Sequence, residues 1–157
     1  MMRPALVIWL IVLAGCRPEI AADAPANWNR QIPLKVRVSG DQFRWHLRYP
    51  GADGLLDTGD DIEAWRNPHL PTNQLVTIEL TSRDYVYTIY LPHIELLEAA
   101  VPNDPYTIEL KTDTPATLEF LGAQMCNYTH EKLIGELVVL SAVDFETWLR
   151  EKTGATP

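Results

Sequence analysis

The sequence is poor in cysteine and in positive charge. Only 2 of its 157 residues are cysteines, and 13 Lys and Arg stand against 21 Asp and Glu. Two thiols cannot build a disulfide framework or a four-thiolate metal site. A net charge of −8 argues against a nucleic-acid-binding protein, because phosphate binding depends on clustered Lys and Arg. The length suits one ordinary domain.

Long hydrophobic runs are scarce as well. The one extended apolar run covers residues 5–14, well short of the ~20 residues that span a bilayer. It follows the basic start at Arg3 and has the length of a signal-peptide core. The run ends in Leu-Ala-Gly-Cys at residues 13–16, which resembles a bacterial lipobox. The alternative is an ordinary signal peptide that happens to contain a cysteine.

This N-terminal pattern predicts location. We expect an export signal over residues 1–15, with lipid attached to Cys16 as a membrane anchor. The domain would then lie on the extracytoplasmic side of a bacterial membrane, in the periplasm or on the cell surface. Residues 16–31 carry Ala, Pro and Asn without an apolar period and are predicted to be a tether.

From Ile32 onward the pattern is typical of strands. Apolar and polar residues alternate with period two at 36–38, 43–49, 76–80 and 85–91. Such alternation indicates strands with one buried face, and it predicts that His46, between Trp45 and Leu47, points to solvent. Pro and Asx residues separate these runs at the spacing of a β-sandwich.

The last segment favours a helix. Ser141 is followed three residues later by Asp144 in a capping-box arrangement, and the following apolar residues repeat with helical spacing. The sequence therefore predicts an all-β sandwich or small barrel closed by a short C-terminal helix. The domain is expected over residues 32–152, with a tail at 153–157.

Three ordered segments, 40–51, 80–92 and 122–149, together resemble the copper-binding domain of cytochrome c oxidase subunit II. The first has a Gln-aromatic-x-Trp strand running into Tyr-Pro-Gly, and the second has Thr-Ser-x-Asp running into Leu-Pro. The matching residues are Gln42, Phe43, Trp45, Tyr49, Pro50, Gly51, Thr81, Ser82, Asp84, Leu91 and Pro92. The resemblance implies a cupredoxin-like fold, a Greek-key β-sandwich.

The resemblance also implies a dinuclear copper centre, and here the sequence departs from the family. Of the ligand loop Cys-x-Glu-x-Cys-x-x-x-His-x-x-Met, only Cys126 and His130 are retained. The other ligand positions, including an upstream His, read Gly122, Gln124, Leu133 and Tyr87. Two bridging thiolates are needed to hold two coppers, so a single loop cysteine excludes the dinuclear centre.

A single loop cysteine does not exclude a mononuclear copper site. Blue-copper sites use two His and one Cys with a weak axial ligand that Gln can replace. Cys126 and His130 are the candidate ligands, with Tyr87 or Gln124 completing the site, or the pair alone holding Cu(I). His93 lies roughly 20 Å beyond Tyr87 along an extended strand, so it is out of reach as the second imidazole ligand unless the chain folds back at Pro92. The alternative makes Cys126 a small buried hydrophobe and His130 a loop residue with a satisfied hydrogen bond.

The resemblance bears on partners in two further ways. It implies that Trp45 belongs to an aromatic surface where cytochrome c donates electrons, although alternation favours a core residue. The segment that faces the haem-bearing subunit in the family lacks its usual Lys, Asp, Gly and Arg here, so the usual docking pose is not expected. These positions read Leu97, Ala99, Pro102, Asn103 and Asp104.

Two functions remain. In the first, a single copper serves respiratory electron transfer or copper delivery. In the second, the domain is a metal-free accessory or assembly protein of a respiratory complex. Neither makes the chain an enzyme alone, because the oxygen chemistry that the family implies resides in another subunit. The acidic loop at 53–63 lacks the EF-hand spacing and is expected to be a solvated turn rather than a calcium site.

Overall fold

A computed structural model describes residues 31–126 and 129–154, which form ten strands, two short 3-10 turns and one helix. The strands are β1 Leu34–Asp41, β2 Arg44–Tyr49, β3 Ile62–Trp65, β4 His69–Pro71, β5 Leu75–Ser82, β6 Tyr87–Leu91, β7 Leu96–Ala100, β8 Tyr106–Lys111, β9 Ala116–Gln124 and β10 Gly135–Leu140, followed by α1 Ala142–Lys152. The predicted signal, Cys16 and nearly all of the tether lie outside the described residues.

The strands form two five-stranded sheets. The first has the order β3-β2-β1-β5-β8 and the second the order β4-β10-β9-β6-β7. β1 runs parallel to β5, with Leu34 opposite Val76, and antiparallel to β2. β10 runs parallel to β4 and antiparallel to β9. The prediction of an all-β sandwich with a short C-terminal helix is confirmed.

Period-two alternation places the core between the sheets. β5 alternates strictly, so Val76, Ile78 and Leu80 are buried while the residues between them are half-buried. Each large apolar side chain that is fully removed from water stabilises the fold by about 1.5–3 kcal/mol. The largest fully buried side chains are Trp45, Tyr49, Tyr87, Phe120 and Phe145.

The prediction that His46 points to solvent is wrong. His46 does project away from Trp45, as alternation requires, but neighbouring side chains, among them Trp65 on β3, cover it and leave His46 only 4% exposed. Its ring lies 4.4 Å from the Trp65 ring, centroid to centroid. Its Nδ1 lies 3.1 Å from an Arg83 Nη2, and its Nε2 lies 3.3 Å from a Glu63 carboxylate oxygen.

Helix α1 packs against β3, β4 and β10. Its capping residue Ser141 accepts a hydrogen bond from the Asp144 N–H at 3.2 Å, and its hydroxyl donates to the Asp144 carboxylate at 2.6 Å. Phe145 is buried, and Trp148 stacks on His69 with ring centroids 4.4 Å apart. Within the described residues, no helix is long and apolar enough to cross a membrane.

The acidic loop is tied down by arginine. Asp57 accepts hydrogen bonds from Arg37 and Arg48, and its N–H donates to the Asp61 carboxylate at 2.8 Å. The hydrogen bond from Arg37 holds the pKa of Asp57 below its usual range, despite the opposing effect of burial. These contacts hold the loop against the outer face of the first sheet.

Candidate metal centre

One end of the sandwich carries an aromatic cluster, here called the aromatic end and consisting of Phe43, Tyr85, Tyr87 and His130. The Phe43 ring centroid lies 5.5 Å from Tyr85, 6.3 Å from Tyr87 and 5.9 Å from His130. Phe43 sits in the turn between β1 and β2, and His130 follows β9. Two of the predicted metal-site residues, Tyr87 and His130, thus lie around one phenylalanine.

Tyr87 occupies the position of the family's upstream His and is fully buried. Its hydroxyl donates to an Asp84 carboxylate oxygen at 2.8 Å and accepts from the Phe43 N–H at 3.1 Å. Burial raises the pKa of Tyr87 to about 12, and the Asp84 carboxylate acts in the same direction. The phenol is a neutral, doubly hydrogen-bonded group, which is poorly suited to bind a metal.

The glycine at position 40 makes room for this tyrosine. Any side chain at Gly40 would overlap the Tyr87 ring. The β1 strand therefore passes directly beneath the ring, because only a residue without Cβ allows the approach. Gly40 and Tyr87 together fill the space at this side of the aromatic end.

Gly122 stands where the family has its first loop cysteine, and that place is also filled. A Cβ atom at Gly122 would lie 2.6 Å from Trp45 Nε1 and 2.7 Å from the Leu133 carbonyl oxygen. The Trp45 indole N–H donates to this same carbonyl at 2.9 Å. Leu133, at the position of the family's Met, is fully buried. A second thiolate has no space between these groups.

Cys126 and His130 have different surroundings. Cys126 is an exposed free thiol, so the alternative of a buried small hydrophobe is wrong. His130 is half-buried, and its Nδ1 accepts a hydrogen bond from the Lys132 N–H at 3.2 Å, capping the turn Glu131–Leu133. Residues 127 and 128, between the two, lie outside the described residues.

Of the other predicted residues, Gln124 also lies at this end, whereas His69 and His93 do not. Trp45 is 0% exposed and offers no surface to an electron donor, in agreement with the core interpretation. Gln124 is half-buried and pairs in register with Tyr87. His69 stacks on Trp148 beside α1, and His93 is exposed after β6, at the opposite end of that strand from Tyr87.

These residues do not fit a dinuclear copper centre. The place of one thiolate is closed by Trp45, and the place of one imidazole is taken by a hydrogen-bonded phenol. Across residues 31–126 and 129–154, no three His, Cys, Asp or Glu side chains are grouped closely enough to hold a metal ion.

The two sheets and the loop between β9 and β10 define a cupredoxin-like domain, and comparison with solved structures supports this class. The periplasmic domain of subunit II of cytochrome oxidase from Bradyrhizobium japonicum superimposes with a TM-score of 0.65 at 16% identity, over 79% of this chain and 96% of that one. A subunit II of cytochrome c oxidase, captured in a mixed disulfide with a thioredoxin-like protein, gives a TM-score of 0.61 at 18% identity, over 78% and 95%.

Sequence relatives give the more particular relationship. The chain is 28% identical over 142 residues to cytochrome c oxidase subunit 2 of Thermostichus vulcanus, covering 90% of this chain and 40% of that protein. It is 25% identical over 175 residues to the alternative cytochrome c oxidase subunit 2 of Bradyrhizobium diazoefficiens, covering 97% and 58%. No protein-family model matches.

The predicted resemblance to cytochrome c oxidase subunit II is therefore confirmed in sequence and in fold. It spans less than two thirds of the length of these relatives. What it retains is the cupredoxin-like domain, with four of the six family ligand positions replaced.

Proposed function

We propose that the chain serves a respiratory oxidase complex as an accessory or assembly component, without a dinuclear copper centre. The observation that carries this proposal is the packing of Trp45 against Gly122, which leaves no room for a second thiolate. The subunit II relationship supplies the link to an oxidase. The domain would act through recognition by its sandwich surface, since three of the ligand positions, Tyr87, Gly122 and Leu133, are buried in the core.

The proposal includes a location. Lipid on Cys16 would anchor the domain on the extracytoplasmic side of a bacterial membrane, with residues 16–31 as the tether. The support is the signal-like run at residues 5–14 followed by Leu-Ala-Gly-Cys. A structural neighbour described as a periplasmic domain agrees with this side of the membrane.

A second function rests on a separate observation. Cys126 is exposed and free, and His130 follows it by four residues with a half-buried ring at the aromatic end. A thiolate and an imidazole together suit Cu(I), which accepts low coordination numbers. In this version the chain holds one copper and serves electron transfer or copper delivery.

Copper titration separates the two functions. Purified protein is loaded with Cu(I) and with Cu(II), and the bound metal per chain is measured in competition with a chelator. Cys126→Ser and His130→Gln are the test variants, and His93→Gln is the matched control because His93 is exposed and distant. Binding of one copper that is lost in both test variants, but kept in the control, would establish the copper function and exclude a metal-free accessory role.

Association with the complex is tested independently of metal. The tagged full chain is expressed in its host, membranes are solubilised in detergent, and the purified material is examined for haem-copper oxidase subunits. The accessory function expects these subunits in the wild type and equally in Cys126→Ser. Their absence at native expression levels would contradict it.

A further inference from the structure

The outer face of the second sheet carries an apolar row. Tyr90 on β6 pairs in register with Leu121 on β9 and with Leu97 on β7, so the three side chains stand side by side across three strands. Leu97 is 65% exposed, Tyr90 is 39% exposed, and Leu121 is half-buried. Large neighbouring apolar side chains that remain in water mark interaction surfaces more often than a scattered leucine does.

The outer face of the first sheet is built differently. There Arg37 binds Glu79 and Asp57, and Arg48 binds Asp57 and Glu63. Lys35 adds a further ion pair with Glu79. The two outward faces thus differ in chemistry, and only the second presents an apolar row to solvent within the described residues.

A groove that carries two glutamates and one arginine adjoins the apolar row. It has a volume of about 530 Å³ and is lined in part by Arg66, Asn67, Glu119, Leu121 and Glu136. Glu119 on β9 lies directly opposite Glu136 on β10, and both are exposed. Neither forms an ion pair with any described residue. Like charges placed directly opposite each other across two strands destabilise a sheet, so the free domain retains an unfavourable pair.

We propose that this surface, the β9 face, defined by Tyr90, Leu97, Leu121, Glu119 and Glu136, docks a partner protein that presents apolar side chains beside a Lys or Arg. The partner's cation would lie between the two glutamates and relieve their repulsion. Its apolar side chains would cover the row from Leu121 to Leu97. The inference goes beyond the proposed function, because it specifies the surface and the chemistry of the partner whether or not that partner is an oxidase subunit.

Charge disfavours two other occupants. A second copy related by a two-fold axis through this face would bring two Glu119–Glu136 pairs near each other, with only one Arg66 in each copy to offset them. An anionic membrane surface would repel the same pair, since such surfaces attract Lys and Arg. A protein with complementary positive charge is the occupant that both features fit.

Site-specific photo-crosslinking tests the proposal. A photoreactive phenylalanine analogue replaces Leu97 in the full chain, expressed in its host, and the adduct is mapped by mass spectrometry. The matched control carries the analogue at Thr107, an exposed position on β8 of the first sheet. We expect one partner from position 97, crosslinked through a segment that contains Lys or Arg next to apolar residues, and no such adduct from position 107.

Charge reversal tests the acidic pair. The double variant Glu119→Lys/Glu136→Lys should lower the crosslinking yield at Leu97 about tenfold, as expected for losing a close charge contact. Glu109→Lys, which reverses an exposed charge on β8, should leave the yield unchanged. To check folding, Glu119→Gln and Glu136→Gln are made singly. Each should raise the unfolding midpoint of the free protein, because each removes the repulsion.

Several outcomes would overturn the inference. The first is equal adducts from positions 97 and 107. The second is an adduct to a second copy, to residues 1–30 of the chain itself or to lipid. The third is a crosslinking yield at position 97 that charge reversal leaves unchanged. A partner of the expected chemistry that is unrelated to any oxidase would support the β9 face and contradict the proposed function. The two failures are therefore distinguishable.

Discussion

The Trp45 indole N–H donates to the carbonyl oxygen of Leu133 across 88 residues of chain, at 2.9 Å. The bond joins β2 of the first sheet to the turn that precedes β10 of the second. It runs over Gly122, the residue at the family's first cysteine position. In this chain, a contact between the two halves of the sandwich occupies the position at which the family has a metal ligand.

The first prediction concerns this contact. Gly122→Ala should destabilise the domain by about 1–3 kcal/mol, because the added methyl meets Trp45 and Leu133 and forces them to shift. Urea unfolding followed by tryptophan fluorescence measures the loss. Gly59→Ala is the control, since nothing lies within 4 Å of a Cβ at that position. If the two variants were equally stable, the contact between Trp45 and Leu133 would adjust to the added methyl group without a loss of stability.

The second prediction concerns alkaline pH and Tyr87. Burial raises its pKa to about 12 in the folded protein, above the ordinary value of about 10. The stability that comes from keeping the phenol neutral is therefore fully present below pH 10 and is lost as pH rises towards 12.

Urea unfolding between pH 9 and 12 checks this, with Tyr87→Phe expected to show a shallower decline than the wild type. Burial also raises the pKa of Tyr49, but that residue is common to both proteins. Tyr85→Phe, at an exposed neighbouring position, should follow the wild-type curve. A Tyr87→Phe curve parallel to the wild type would contradict the prediction.

The third prediction concerns acid and His69. Burial beside Trp148 lowers the pKa of His69, and the charge of Lys152 lowers it further, against a hydrogen bond with the Asn67 carbonyl that raises it. A lowered pKa means that its contribution to stability is present above the ordinary value of about 6.5 and is lost as pH falls through the folded-state value.

NMR titration of the imidazole signals measures the shift directly. His69 should titrate below the ordinary histidine value of about 6.5, and Lys152→Gln should move the His69 titration upwards. Unfolding midpoints at pH 7 and pH 5 report the loss of stability. If His69 titrates at or above the ordinary value of about 6.5, α1 does not shield His69 in solution.

The fourth prediction concerns the acidic loop. Asp57→Asn should lower stability by ~1 kcal/mol or less, as is typical of exposed ion pairs, and should increase proteolytic cleavage within residues 51–61. Asp113→Asn, at another exposed position, is the control. Millimolar calcium should leave the unfolding midpoint of the wild type unchanged. A calcium-dependent increase would mean that the loop binds metal rather than arginine.

Much of the fold follows from the sequence because its strands alternate clearly. Residues 76–80 show the pattern, and the structure buries the expected residues there. The Ser141 cap and the apolar spacing that follows it likewise predict α1. Strand β4 is too short, at three residues, to show any period. Burial of His46 escaped prediction because it depends on β3, whose position one strand's pattern does not determine.

The site was predicted less completely. The positions that differ from the family are visible in the sequence, and they exclude two bridging thiolates. The packing that fills the space around the ligand positions cannot be read from the sequence, because it depends on contacts between distant segments. These contacts are those of Gly40 with Tyr87 and of Trp45 with Gly122. The motif Thr-Ser-x-Asp did contain one indication of this packing, since its Asp84 accepts a hydrogen bond from the Tyr87 hydroxyl.

The pairing of β4 with β10 bears on how the chain reaches its native state. Leu70 and Val139 are partners, although 69 residues separate them, and β4 has no other strand neighbour in its sheet. Contacts of such long sequence separation form slowly, because loop closure precedes the gain from pairing. During synthesis, β4 stays unpaired until β10, the last strand, has left the ribosome. A chain that stops before Gly135 would expose β9 as a free edge and would be a substrate for chaperones and proteases.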